Sequence, residues 1–260
     1  MGNSTSNPVR NMDKRTSRRE YSKDFESAIE FYRNQISSLG IMSPINDKST
    51  RNNIKVFARK RPIFKYELDS SEFDVVTCFN NRLTIHDARM HNDMIRMYMD
   101  HHEFEFHRVF NETATNSLVY KETAEPLVDY ALEGGYSTCI VYGQTGSGKT
   151  FTMTSIYNQA ARDIFDKHTS TYSKNKVGGN NFKVSVSFLE IAGDKCNDLM
   201  NSFTSTQLLT SYEGSVQAYP LVEPEVSSAE QLIAMIDFAC SLRATTATGV
   251  NDTSLSLIHI

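Results

Sequence analysis

Residues 139–153 read CIVYGQTGSGKTFTM, an apolar run that gives way to glycine at 143, 146 and 148, then Lys149, Thr150 and apolar residues again. Few patterns restrict a fold so sharply. The spacing from Gly143 to Gly148, Lys149 and Thr150 is GxxxxGKT without a mismatch. Glycines there let the backbone curl until its amide hydrogens point inward, towards anionic oxygens. The chemistry needs a strand before the loop and a helix after it, so TCIVY is expected as a buried strand and KTFTM as the first turn of a helix. On this reading Gly143, Gln144, Thr145, Gly146, Ser147, Gly148, Lys149 and Thr150 cradle a nucleoside triphosphate. The helix N-terminus adds a favourable dipole, Lys149 bridges the terminal phosphates and the Thr150 hydroxyl holds Mg²⁺. Hydrolysis further requires an acidic residue for the metal and a group that places water. The stretch VSVSFLEIAGD offers Glu190 and Asp194, but Glu190 sits inside an apolar run and Asp194 reads as a turn residue. Neither is assigned that role.

Such a loop belongs in a layered α/β fold, and the flanking pattern agrees. Phe25, Ile29, Tyr32 and Ile36 recur at helical spacing, closed by Gly40 and Pro44. IKVFARKRPIF, FDVVTCF, RLTIHD and HEFEFHRVF read as strands. NSLVYKETAEPLVDYALEGG reads as helix with a kink or a fresh start at Pro126, and SIYNQAARDIFDKH as helix. NNFKVSVSFLEIA reads as one long strand, and SSAEQLIAMIDFACSLRA as a helix opened by Ser228. Alternating strands and helices predict a mixed, largely parallel central sheet flanked by helices. The expected organisation is a disordered basic tail over 1–20, an amphipathic helix and linker over 21–53, and an ATP-binding domain over 54–260.

Composition bounds the partners. The 260 residues carry a formal net charge of -4, so any polyanion must meet a local basic patch. Basic residues at 10–19 and 51–61 lack an aromatic stacking platform, and nucleic acid is not expected. Cys78, Cys139, Cys196 and Cys240 are scattered, with neither a zinc spacing nor a disulfide framework. No run approaches the ~20 apolar residues of a membrane span, and no signal segment opens the chain, which points to the cytoplasm. Gly2 and Ser6 fit a loose acylation pattern followed by Arg10, Lys14, Arg15, Arg18 and Arg19. A solvated basic tail explains the same residues, so membrane anchoring is not expected.

At this point a family resemblance becomes specific. VYGQTGSGKTFTM closely resembles the phosphate loop of the kinesin motor domain. FARKRP resembles that family's adenine-flanking RxRP segment at Arg59, Arg61 and Pro62. SFLEIAGDKCNDLM matches a family strand and turn at Phe188, Glu190, Ile191, Asp198 and Leu199. FNETATNSLVY also resembles a family stretch, and RATTATGVNDTS resembles the lead into the first switch, at Arg243, Thr245, Thr248, Asn251 and Ser254. Together these span nearly everything from Ile54 to Ser254. KVFARKRPIFKYE and the amphipathic segment before it look most like the internal-motor, microtubule-depolymerising kinesins.

The resemblance implies an ATP- and Mg²⁺-dependent, microtubule-stimulated ATPase that acts on tubulin in the cytoplasm and cytoskeleton. It implies a tubulin contact at the tip of a hairpin, here MHNDMIRMYMD, where Asp93 is retained but His91 and Asn92 replace Lys and Val. Read from residues alone, Met90, Met94, Met97 and Met99 are hairpin or small-helix packing. After Ser254 the chain runs directly into LSLIHI, skipping the family's S-R-S-H block, and no D-x-A-G-x-E segment occurs. His259 therefore reads as a strand residue, the catalytic residues stay unassigned, and the motor is expected to be C-terminally incomplete. The alternative function is a truncated, non-hydrolysing module that binds nucleotide and tubulin.

Overall fold

A helix whose Phe25 and Ile29 recur every four residues has to bury that stripe against something. In the computed structural model it does so against a small antiparallel sheet. The structure describes residues 14–38, 54–91, 96–172, 182–212, 214–246 and 255–259, and the chain divides into two compact units, residues 1–115 and 116–260.

The first unit opens with α1 (Lys14–Glu20) and α2 (Ser22–Ser38), followed by β1 (Phe57–Arg59) and α3 (Lys65–Asp69). Strands β2 (Val76–Phe79), β3 (Arg82–Met90) and β4 (Met97–Glu105) form an antiparallel meander, and β5 (Arg108–Phe110) pairs in parallel with β1. Phe25 and Ile29 of α2 are buried with Phe73 and Ala88, and Phe25 stacks on Phe73 with ring centroids 6.1 Å apart. Two such side chains bury on the order of 3–6 kcal/mol of apolar transfer free energy. Met90 and Met99 pack against this cluster, as the hairpin reading of the methionines requires.

Polar clamps fix the helix in place. Arg33 donates from Nε to Thr77 Oγ1 at 3.0 Å, and from its terminal nitrogen to Asp74 Oδ2 at 2.9 Å and the Val76 carbonyl at 3.0 Å. Arg18 reaches Asp87 Oδ1 at 2.6 Å and the Ala88 carbonyl at 3.2 Å.

The second unit holds α4 (Asn116–Thr123), α5 (Glu125–Leu132), α6 (Lys149–Tyr172) and α7 (Ala229–Thr246). Its strands are β6 (Val184–Ser185), β7 (Ser187–Ala192), β8 (Lys195–Asp198), β9 (Thr204–Thr210), β10 (Val216–Tyr219), β11 (Glu225–Val226) and β12 (Leu255–His259). Five of them form a sheet in the order β10-β9-β8-β7-β12, and β11 pairs with β6. Tyr157 and Ala161 of α6 and Leu232, Ile236 and Ala239 of α7 enclose Val184, Val186 and Phe188 in one core. The chain is a mixed α/β fold with helices packed on sheet.

Several expectations hold. Ser228 caps α7, its Oγ accepting from the Gln231 amide at 3.2 Å, and Pro126 opens α5 rather than kinking a longer helix. Asp194 lies in the β7–β8 turn, and His259 is in β12 opposite Ser187. Others are corrected. Among the described pairings only β1–β5 is parallel, so the sheets are not largely parallel: β7 to β10 follow one another through connections too short for a crossover. The long strand over NNFKVSVSFLEIA is divided at Val186, where pairing changes partner: Val184 and Ser185 pair with β11, the Val186 amide bonds the Pro224 carbonyl at 3.2 Å in the same register, and from Ser187 onward the partners are β12 and β8. The tail expected to be disordered over 1–20 is helical from residue 14, held by the Arg18 clamp. TCIVY forms no strand. Gly2, Ser6, Arg10, Gly40, Pro44, Asp93, Met94, Thr248, Asn251 and Ser254 lie outside the described residues.

Candidate nucleotide-binding loop

Helix α6 is anchored before its first turn can matter. Tyr120 of α4 donates to Asp163 Oδ2 at 2.7 Å, and burial first, then this bond, holds the phenol well above its usual pKa. Lys167 lies 3.1 Å from Glu125, 2.7 Å from Asp129 and 3.4 Å from Asp163, tying α5 to α6. On the opposite side Tyr157 donates to Asp237 of α7 at 3.0 Å. These ties hold the body of α6 against its neighbours, and the helix begins at Lys149, as the motif requires.

The loop ahead of it is shaped by its glycines. Gly146 and Gly148 have φ of 78° and 94°, the left-handed region that side chains with a Cβ avoid. At Gly143 the constraint is space: a Cβ there would sit 2.5 Å from Ser147 Oγ. The Ser147 amide closes a turn onto the Gln144 carbonyl at 3.1 Å, and the Thr152 amide bonds the Gly148 carbonyl at 3.0 Å as α6 starts. Lys149 folds back over the loop, Nζ donating to the Gly143 carbonyl at 2.8 Å and the Gln144 carbonyl at 3.0 Å. Gln144, Thr145, Gly146, Ser147 and Thr150 are exposed.

This donor set suits a polyanion. An ammonium group faces the loop's hollow, the first amides of α6 have no carbonyl one turn earlier within the helix, and the dipole of a 24-residue helix points its positive end there. At Gly146 and Gly148 a Cβ would meet no heavy atom within 4 Å, so the backbone there is open to close approach by oxygen atoms. For a metal the loop itself offers the Thr150 hydroxyl. Among the described residues no cluster of three or more His, Cys, Asp or Glu side chains is placed to hold a metal ion. A cation bound through Thr150 would complete its shell with phosphate and water oxygens, the usual arrangement for Mg²⁺.

Arg59, Arg61 and Pro62 belong to the first unit. Arg59 ends β1 and donates to the Ala114 carbonyl at 3.3 Å, its charge disfavoured by burial. Arg61 bonds Glu67 at 2.6 Å and lies over the Phe64 ring at 4.3 Å, while its Nη1 is buried without a hydrogen-bond partner. Glu190 stands in β7 opposite Asn197 and Ser256, a ladder position.

Sequence reading gives no role to two polar centres, although Asp198 stands among the family matches. Asp198 is fully buried, and its two oxygens accept from the Met200 amide at 2.9 Å and the Val222 amide at 2.8 Å, binding together the turns on either side of the β9–β10 hairpin. Lys60 is half-buried, its side chain 8% exposed and bridging Asp74 at 2.6 Å and Glu112 at 3.1 Å. No local pattern announces either, since Asp74 and Glu112 lie far from Lys60 and the Val222 end of the Asp198 pair lies 24 residues on, although Met200 is only 2 residues on.

With fold and loop in view, the kinship follows. The family model for the kinesin motor domain matches residues 59–257. Kinesin-like protein KIN-13B of Arabidopsis thaliana is 36% identical over 201 residues, 77% of this chain and 28% of that protein. Diatom spindle kinesin-1 of Cylindrotheca fusiformis is 34% identical over 230 residues, 86% of this chain and 35% of that protein. A solved fast kinesin superposes with a TM-score of 0.66 at 28% identity, over 79% of this chain and 58% of that one. The chain belongs to the kinesin motor-domain family. It spans about a third of the length of the curated relatives.

Proposed function

We propose that this chain is the ATP-binding part of a microtubule motor of kinesin type, within the microtubule-depolymerising subclass. The observation that carries the nucleotide reading is the loop over 143–150, with Lys149 folded across its carbonyls at the start of α6. Lys149 exchanges its two carbonyl bonds for terminal phosphate oxygens, a charge-assisted and stronger contact. Gly143, Gln144, Thr145, Gly146, Ser147 and Gly148 follow the phosphate chain with their backbone, and Thr150 holds Mg²⁺, which supplies charge neutralisation between the phosphates. For Arg59, Arg61 and Pro62 an adenine-side role, and for Asp93 a tubulin contact, are proposed on the family resemblance alone. The subclass rests on the stretch KVFARKRPIFKYE and on the amphipathic helix α2 preceding it. Microtubules are the proposed partner and the cytoskeleton the proposed location. No helix among the described residues is long and apolar enough to cross a membrane.

Titration with a fluorescent ATP analogue in Mg²⁺ buffer tests the reading. Wild type should bind, and Lys149→Ala should bind about tenfold or more weakly, as expected when one charged phosphate contact is removed. Equal affinity in folded protein would sink the assignment. Phosphate release with and without microtubules then separates the motor from its alternative: binding without release makes the chain a non-hydrolysing nucleotide- and tubulin-binding module.

A further inference from the structure

Just ahead of β2, Asp74 holds two cations that come from separate elements of the first unit. Arg33 of α2 donates to Asp74 Oδ2 at 2.9 Å, and Lys60, which follows β1, donates to the same oxygen at 2.6 Å. The other oxygen, Oδ1, accepts from the Val76 amide at 3.1 Å, which pins the carboxylate to the start of β2. Lys60 is anchored twice more. Its amide donates to the Phe110 carbonyl at 2.8 Å, and its Nζ lies 3.1 Å from Glu112. Its chain neighbours Arg59 and Arg61 have ties of their own, to the Ala114 carbonyl and to Glu67. Lys60 is joined to α2 through one shared oxygen. Two like charges converge there, and the carboxylate between them offsets their repulsion. Removing one cation strengthens the hold on the other, whereas removing both leaves a partly buried carboxylate without a counter-charge.

We propose that Asp74 is a positioning residue of the nucleotide site: through Lys60 it sets the base-flanking segment 59–62, and by sharing Oδ2 with Arg33 it ties that segment to α2. The inference rests on the adenine-side role proposed above for Arg59, Arg61 and Pro62. Asp74 touches no ligand itself. It acts by holding the middle cation of ARKRP, so that the arginines on either side keep their places when a base arrives. By linkage the effect runs both ways, and a bound base tightens the hold on α2.

Calorimetric titration of the 260-residue chain with ADP and, separately, with inorganic pyrophosphate, both in Mg²⁺ buffer, tests the proposal. Both ligands carry phosphates, and only the first carries a base. Asp74→Asn keeps the shape without the charge, and should weaken ADP about fivefold or more while leaving pyrophosphate unmoved. A general loss of folded protein would lower both alike. Lys60→Met should reproduce the shift, also where Asp74→Asn does not fold, and Lys60→Arg, which keeps a cation facing Asp74, should not. Arg33→Met should shift the ratio in the same direction by a smaller factor. A ratio of the two affinities that stays at the wild-type value in Asp74→Asn and Lys60→Met overturns the proposal. Urea unfolding gives a readout that needs no ligand. Arg33→Met combined with Lys60→Met should lose more stability than the two single losses summed, and the losses should add once Asp74 is replaced by Asn. Additive losses with Asp74 in place overturn the shared hub. A wild type that binds neither ligand sinks the nucleotide assignment instead, and the urea cycle then judges the hub by itself.

Discussion

His86 is a fully buried imidazole held between two partners. Its Nε2 lies 2.7 Å from Thr77 Oγ1 and its Nδ1 lies 2.8 Å from His101 Nδ1, while Tyr32 meets the ring edge-on at 4.9 Å. Thr77 Oγ1 already accepts from Arg33, so its own hydrogen suits the His86 Nε2 lone pair, leaving Nδ1–H to donate to His101. That arrangement needs a neutral ring. Burial first, then the neighbouring His101 and Arg33, push the His86 pKa down to about 4 from 6.5. Between those values the unfolded chain holds a proton that the folded chain refuses, so stability is intact above pH ~6.5 and falls as acid approaches pH ~4. A gap of about 2.5 pH units is worth about 3 kcal/mol at the acid limit. Urea midpoints at neutral pH and near pH 4.5 should show the loss, and His86→Asn should flatten the dependence. An unflattened curve would place the acid sensitivity elsewhere.

At the scale of elements, α2 depends on Arg33 as much as on Phe25. Arg33→Met keeps the aliphatic stem but removes the bonds to Thr77, Asp74 and Val76, and should cost the first unit about 2–3 kcal/mol in urea unfolding. The clamps also limit what the N-terminal basic residues can offer an outside partner such as the acidic microtubule surface. Arg18 is committed to Asp87 and Arg19 to Glu72, leaving less cationic surface for an outside partner. Cosedimentation with microtubules should therefore change little between wild type and Arg18→Gln at matched salt. Sequence could not show this, because Asp87 is 69 residues from Arg18 and Glu72 is 53 from Arg19. Where partners are local the sequence was legible: Ser228 caps the helix three residues before Gln231, and the spacing that bends the loop also starts α6 at Lys149. TCIVY has strand composition, but a strand exists only in a ladder, and composition does not carry the partner. The break at Val186 is hidden for the same reason, since it marks a change of partner from β11 to β12 and β8, both set by residues far along the chain or across a turn.

At the scale of the whole molecule, two compact units meeting in sequence at Thr115 and Asn116 need not unfold together. Calorimetry should resolve two transitions. A ligand held by the loop at about a hundred times its Kd should raise the stability of the second unit by about 2.7 kcal/mol, and a tenfold weaker Lys149→Ala should cut that rise to about 1.4 kcal/mol or less. A single transition, moved as a whole by nucleotide, would show that the units melt as one. The division has a further use. The turn before α4 is closed locally, the Thr113 amide and hydroxyl both bonding Asn111 Oδ1, at 3.2 and 2.9 Å, and the Ala114 amide bonding the Asn111 carbonyl at 3.1 Å. None of these bonds spans the point after Thr115. A Gly-Ser insert placed there lengthens the polypeptide without cutting a described hydrogen bond of that turn, which makes it the natural splice point for a chain whose halves are to be labelled, exchanged or expressed apart.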